Sequence, residues 1–173
     1  MANIFDLFKK IENPSASAPI THLVVGLGNP GDKYTFTRHN AGFLSIDYMS
    51  QKHNIDVKKI KHKAVIGEGI IAGERVILAK PQTYMNLSGE AVIDILNFYK
   101  ESPEKVIAIV RGFYGEECLN LAKALNKGGV KLLEVTFDQK NPASWQETAD
   151  AIAAVKAKLG DRMFVGAGTV TSV

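Results

Sequence analysis

At 173 residues, 46% of them apolar and 23% charged, the chain has an ordinary globular composition, which excludes disordered, collagen-like and fibrous classes and allows one good-sized core or two small ones. A net charge of +3 permits a nucleic-acid partner without requiring one, so only local clustering of Lys and Arg can decide. The single cysteine, Cys118, excludes an internal disulfide, and the absence of CxxC or Cys/His clusters argues against a metal site; a reducing cytoplasm is the expected compartment, with no cofactor.

In chain order, Ile4, Phe5, Leu7, Phe8 and Ile11 lie at helical spacing and predict a short amphipathic helix before a Pro/Ser/Ala linker at 14–19. No segment approaches the roughly 18 consecutive apolar residues of a membrane span. The apolar run Leu23 to Leu27 reads as a buried strand, stopped by Gly28-Asn29-Pro30-Gly31. A polar and aromatic loop follows, then a helix from about Asn40 to Gln51, with Asn40 placed to cap it.

The stretch 52–63, KHNIDVKKIKHK, sets Lys58, Lys59, Lys61 and Lys63 among further basic residues and one acid, Asp56. It is either a solvated face or a track for a phosphate backbone. Two alternating runs, Ala64 to Ala72 and Arg75 to Ala79, predict a β-hairpin. A second polar loop, Lys80 to Gly89, leads into a helix from about Ser88 to Lys100. Beyond Pro103 the pattern becomes strand (106–110), helix (116–127), strand (130–137), helix to about Leu159 and strand (163–165). Ser144 and Glu147 suggest a capping box at the second helix. Alternating elements with short connections predict a parallel βαβαβ unit.

Chemistry concentrates in the two polar loops. The first presents Asn29, Tyr34, Arg38, His39 and Asn40 within a dozen residues, beyond the carboxyl end of a strand, where open α/β sheets bind ligands. A histidine with a near-neutral pKa, set among carboxamides that can donate to an oxyanion, suits ester hydrolysis. Taken alone, His39 reads better as capping a helix or bonding a backbone carbonyl, but the second loop with Met85 and Asn86 makes that the poorer account.

GLGNPG, Tyr34, TRHNAG, the lysine-rich stretch and KPQTYMNLSGEAV, in this order and spacing, make residues 21 to about 110 resemble the N-terminal half of bacterial peptidyl-tRNA hydrolase. The resemblance implies a three-layer mixed α/β sheet and a tRNA partner. It implies His39 as the general base acting on the ester between peptide and tRNA, with Asn29 orienting the attack. Tyr34 and Asn40 would line the cleft, Asn86 would hold substrate and Met85 would pack against the peptide. The family places an acidic pair after the strand at 106–110, one member of which orients the histidine. Here Arg111-Gly112 stands in its place, which implies impaired catalysis or a non-catalytic tRNA-binding module.

VIAIVRG, EECLNLAKALNKGGVKLLEVTF and VGAGTVTSV make residues 106–173 similar to the opening third of keto-deoxy-phosphogluconate aldolase, a TIM barrel. That resemblance implies Glu134 as a proton-transfer carboxylate, Arg111 at the barrel mouth and Thr169 against substrate, although the family's substrate-binding arginine reads Asp138. The Schiff-base lysine belongs to a later strand, and three strands of eight close no barrel. The expected organisation is a helix and linker (1–20), a hydrolase-like half (21–105) and an aldolase-like βαβαβ fragment (106–173), a chimera joined within one strand. An inactive fusion is a further alternative, and exposed sheet edges would invite oligomers.

Overall fold

The computed structural model describes residues 19–35 and 37–168; the expected N-terminal helix and Thr169 lie outside them. Seven strands form one sheet: β1 (His22–Gly26), β2 (Lys59–Lys61), β3 (Ala64–Ile71), β4 (Glu74–Pro81), β5 (Val106–Val110), β6 (Leu132–Thr136) and β7 (Phe164–Gly168). Among the described residues, four α-helices join them: α1 (Ala41–His53), α2 (Ser88–Tyr99), α3 (Gly115–Lys127) and α4 (Trp145–Leu159). The strand order is β2-β3-β4-β1-β5-β6-β7. β2, β3 and β4 pair antiparallel, whereas β4, β1, β5, β6 and β7 run parallel. The expected mixed sheet and parallel βαβαβ continuation are both present, within one sheet.

Strand alternation sorts the core onto two faces. Leu23 and Val25 of β1 join Ala91, Ile95 and Leu96 of α2, Cys118 and Ala122 of α3, and Ala151 and Val155 of α4. Val24 points the other way and packs with Ile46 of α1, Leu78 and Ile109. Helices therefore cover both faces, three on one side and α1 on the other.

Two local features position the loops. A Cβ on Gly26 would lie 2.1 Å from the carbonyl oxygen of Gly42, and one on Gly42 would lie 2.4 Å from the backbone nitrogen of Leu27. These paired glycines let the first turn of α1 sit directly against the end of β1. In the hairpin the turn residues are Ala72 and Gly73, with φ of 52° and 84°, one residue earlier than Gly73-Glu74. Two positive φ values are the type I′ signature that matches strand twist.

The capping expectations differ from what forms. Asn40 precedes α1 but makes no side-chain cap bond, because its carboxamide is engaged elsewhere. Ser144 already has helical backbone angles (φ −87°, ψ −2°), since a 3-10 turn, Pro142–Ser144, leads into α4. Its hydroxyl donates back to the Asn141 carbonyl at 2.8 Å instead of forward into a capping box, whose first residue must be extended. The lysine-rich segment contains a strand that the one-signed charge concealed, β2 at the sheet edge, with Lys59, Ile60 and Lys61 all exposed.

Candidate active site

The parallel strands place the loops after β1, β4, β5 and β6 at one edge of the sheet, the edge expected to bind ligands. Two of these loops are tied together by carboxamides. Asn40, 3% exposed, accepts from the Asn29 backbone N–H through Oδ1 at 2.7 Å and donates through Nδ2 to the Asn29 carbonyl at 2.9 Å. Asn29 in turn accepts the Met85 backbone N–H on its Oδ1 at 2.8 Å. One chain of hydrogen bonds thus runs from the start of α1, through the glycine-rich loop, to the loop after β4. Each link uses a buried or half-buried backbone group that would otherwise need a partner.

His39 sits half-buried in the 3-10 turn Arg38–Asn40, one residue before this chain of bonds. Its ring meets the ring of Phe113 edge-on, with centroids 6.2 Å apart and planes at 61°. Phe113 follows Arg111-Gly112 in the loop after β5. A cavity of about 270 Å³ lies beside the glycine-rich loop, bounded by Asn29, Asn40, Phe43 and Lys80 among others. Lys80 donates to Asp47 at 2.5 Å, tying β4 to α1 along this wall. Tyr34 is half-buried in its own 3-10 turn, Asp32–Tyr34, and Lys33 lies 4.8 Å from its ring centroid.

Asn86 is exposed beside Met85 and lines a different cavity, between α2 and α3. The structure therefore joins Asn29, Asn40 and Met85 directly and sets His39 next to them in the chain. Asn86 faces the neighbouring groove.

Arg111 turns away toward β6. Its Nε donates to the Thr136 hydroxyl at 3.2 Å, Thr136 donates to the Val110 carbonyl at 3.1 Å, and the guanidinium lies 4.0 Å from Asp138. Arg111 and Glu134 share a cavity of about 390 Å³ with Ser45, Tyr48 and Met49 of α1. Burial pushes the Glu134 carboxyl above its ordinary pKa.

The lysines divide by environment. Lys58 pairs with Asp56 at 2.9 Å, both exposed. Lys63 donates to Glu90 at 3.0 Å, a bond that raises its pKa with help from the charges of Glu90 and Asp94. Lys59 and Lys61 stand on β2, with the Lys61 ammonium 6.0 Å from the ring centroid of Phe98 on α2. Behind them, Glu68 accepts from Tyr99 at 2.8 Å and from Arg75 at 2.8 Å. Burial acts to raise the Glu68 pKa, but these bonds and the nearby charges of Arg75 and Lys59 outweigh it and hold the group below its ordinary range. Burial, then the bond to Glu68, pushes Tyr99 up to about 12. Sequence patterning pointed to neither this network nor Phe113; the only signals were polar residues in a strand and a helix whose partners are remote.

Among the described residues, no group of His, Cys, Asp and Glu is placed to hold a metal ion. No described helix is long and apolar enough to cross a membrane.

The model of one protein family, peptidyl-tRNA hydrolase, matches residues 23–114. The chain belongs to the peptidyl-tRNA hydrolase family. The peptidyl-tRNA hydrolase of Alkaliphilus oremlandii is 56% identical over 88 residues, which is 51% of this chain and 48% of that protein. That of Caldicellulosiruptor bescii is 58% identical over 88 residues, 51% of this chain and 47% of that one. A crystal structure of peptidyl-tRNA hydrolase from Acinetobacter baumannii superposes with a TM-score of 0.52 at 38% identity, covering 56% of this chain and 51% of that one. The chain thus spans about half the length of the curated relatives it matches.

Proposed function

We propose that this protein is a peptidyl-tRNA hydrolase-like enzyme of the cytoplasm, with His39 as the general base. The observation that carries the reading is the chain of hydrogen bonds Asn40–Asn29–Met85, which fixes two loops beside the histidine. In the proposed step His39 takes a proton from water, and the water oxygen attacks the ester carbonyl carbon. The bond to the ribose oxygen then breaks, and the proton passes to that oxygen. Asn29 holds the Met85 loop and thereby orients the attack, Tyr34 and Asn40 line the cleft, Asn86 holds substrate and Met85 contacts the peptide.

The reaction is slow in this proposal, because Arg111 occupies the place of the orienting acid. Arg111, turned toward Thr136 and Asp138, supplies no carboxylate to stabilise the imidazolium and fix the ring tautomer. Peptide release from peptidyl-tRNA, compared between wild type and His39→Ala, tests the assignment; equal rates remove it.

A second reading, a non-catalytic tRNA-binding module, is favoured by the exposed lysines of β2 beside the exposed ring of Phe98. Lys58, Lys59, Lys61 and Lys63 would follow the phosphates, and affinity would then fall steeply with salt. Binding that is undetectable or insensitive to salt ends this reading.

We divide the chain at 105/106 and assign residues 106–173 as an aldolase-like fragment, with Glu134 and Thr169 the aldolase-like residues and no turnover. Support comes from the parallel β5-β6-β7 run and from Glu134 and Arg111 lining one cavity. An inactive fusion is the corresponding alternative. Self-association would use the edge at β7, where Phe164 is 77% exposed.

A further inference from the structure

The loop after β5 is held at both ends. β5 stops at the buried Val110, and α3 begins at Gly115, where the Tyr114 carbonyl accepts the backbone N–H groups of Glu117 and Cys118 at 3.1 and 3.3 Å. Gly112 and Gly115 take φ of 77° and 48°, conformations open to glycine, and between these two bends the chain sets Phe113. The Phe113 side chain packs against the core. Its ring meets that of His39 edge-on, with centroids 6.2 Å apart, inside the roughly 4.5–7 Å range that aromatic pairs prefer. The Nδ1 atom of His39 is buried, which leaves Nε2 as the nitrogen to face water.

A general base must present one nitrogen in one direction, so a ring free to turn on its stem loses rate in proportion to the time it spends misdirected. Resting on the reading of His39 as that base, we propose that Phe113 is its positioning residue. The phenyl ring fixes the plane of the imidazole, keeping Nδ1 inward and Nε2 toward water. Phe113 thereby takes over the orienting part of the carboxylate that Arg111 replaces. It takes over none of the charge, because a phenyl ring carries no net charge and accepts no proton. Its anchorage between the end of β5 and the start of α3 suits this role, since a group held by two rigid elements holds its neighbour in turn.

Carboxymethylation of the whole chain with bromoacetate reads the ring's orientation without turnover. The peptide carrying His39 is isolated, and the ratio of Nε2 to Nδ1 product is measured. Wild type is expected to favour Nε2. Phe113→Leu and Phe113→Met keep an apolar side chain against the core but set no ring against the imidazole, and are expected to lose about 2- to 10-fold of that preference. Phe113→Tyr keeps the ring and is expected to keep the ratio. Each variant is read below its own melting temperature, so that a folded chain is compared with a folded chain. A ratio unchanged from wild type in Phe113→Leu or Phe113→Met overturns the proposal, as does loss of the preference in Phe113→Tyr. Equal peptide-release rates for wild type and His39→Ala would remove the base reading and leave this ratio standing. An unchanged ratio would remove the positioning role and leave the release assay standing.

Discussion

Asn40 holds Asn29 by both backbone polar atoms, accepting from its N–H at 2.7 Å and donating to its carbonyl at 2.9 Å. A side chain expected to cap a helix serves instead as a substitute strand partner for a loop that has none. Replacing it with alanine leaves two backbone groups to find other partners at a site 3% exposed. Asn40→Ala is expected to cost about 2 kcal/mol, seen as a Tm lower by about 4–8 °C. Thermal melts check this, and an unchanged Tm contradicts the positioning role.

Ala72 takes a left-handed conformation, φ 52°, at the first turn position of the β3–β4 hairpin. An alanine there bears a steric cost of about 1 kcal/mol that asparagine or glycine largely avoids. Ala72→Asn is expected to raise Tm by about 2–4 °C. A lowered Tm would mean that the turn is not type I′.

The legibility of the chain follows from how local each cause is. The strand end at Val110, the helix stop around Lys100 and the hairpin come from periodicity and turn chemistry within a few residues, so they are readable, while β1 ends at Gly26, one residue before the expected Leu27. β2 was not, because three exposed residues with no buried face carry no alternation signal; its pairing to β3 depends on the neighbouring strand. Of the candidate site, the polar residue set was visible but its division was not. Whether Asn29 and Asn86 share a cavity depends on how the loop after β4 folds, and the bond from Met85 to Asn29 turns Asn86 toward the groove instead. The Glu68–Tyr99–Arg75 network joins residues remote in sequence, which no window of the chain contains.

Glu134 has a carboxyl pKa raised by burial above its ordinary 4.5. The folded state therefore holds the proton more tightly than the unfolded chain, and stability falls as pH rises from 4.5 through the folded-state value. Glu134→Gln removes the ionisation and is expected to melt higher than wild type at neutral pH. The difference shrinks as pH is lowered below 4.5. A gap that widens on acidification contradicts the cause given.

Tyr99 donates to Glu68 from α2 to β3, beside the Arg75 pair. Both groups are partly buried, and the bond is worth about 1 kcal/mol. Glu68, held below its ordinary range, contributes stability that is present at neutral pH and lost as pH falls through its folded-state value. Tyr99→Phe is expected to lower Tm at neutral pH by about 2–4 °C and to soften that acid loss. Identical pH–Tm curves would show the network to be inert.

In the proposed reaction His39 acts as a base whose supporting carboxylate is replaced at position 111. Peptide release from peptidyl-tRNA by wild type, His39→Ala and Arg111→Asp tests it most directly. Removing the base is expected to lower the rate by about 10²-fold or more, and Arg111→Asp is expected to exceed wild type by restoring a carboxylate at the end of β5. Equal rates for wild type and His39→Ala would contradict the account.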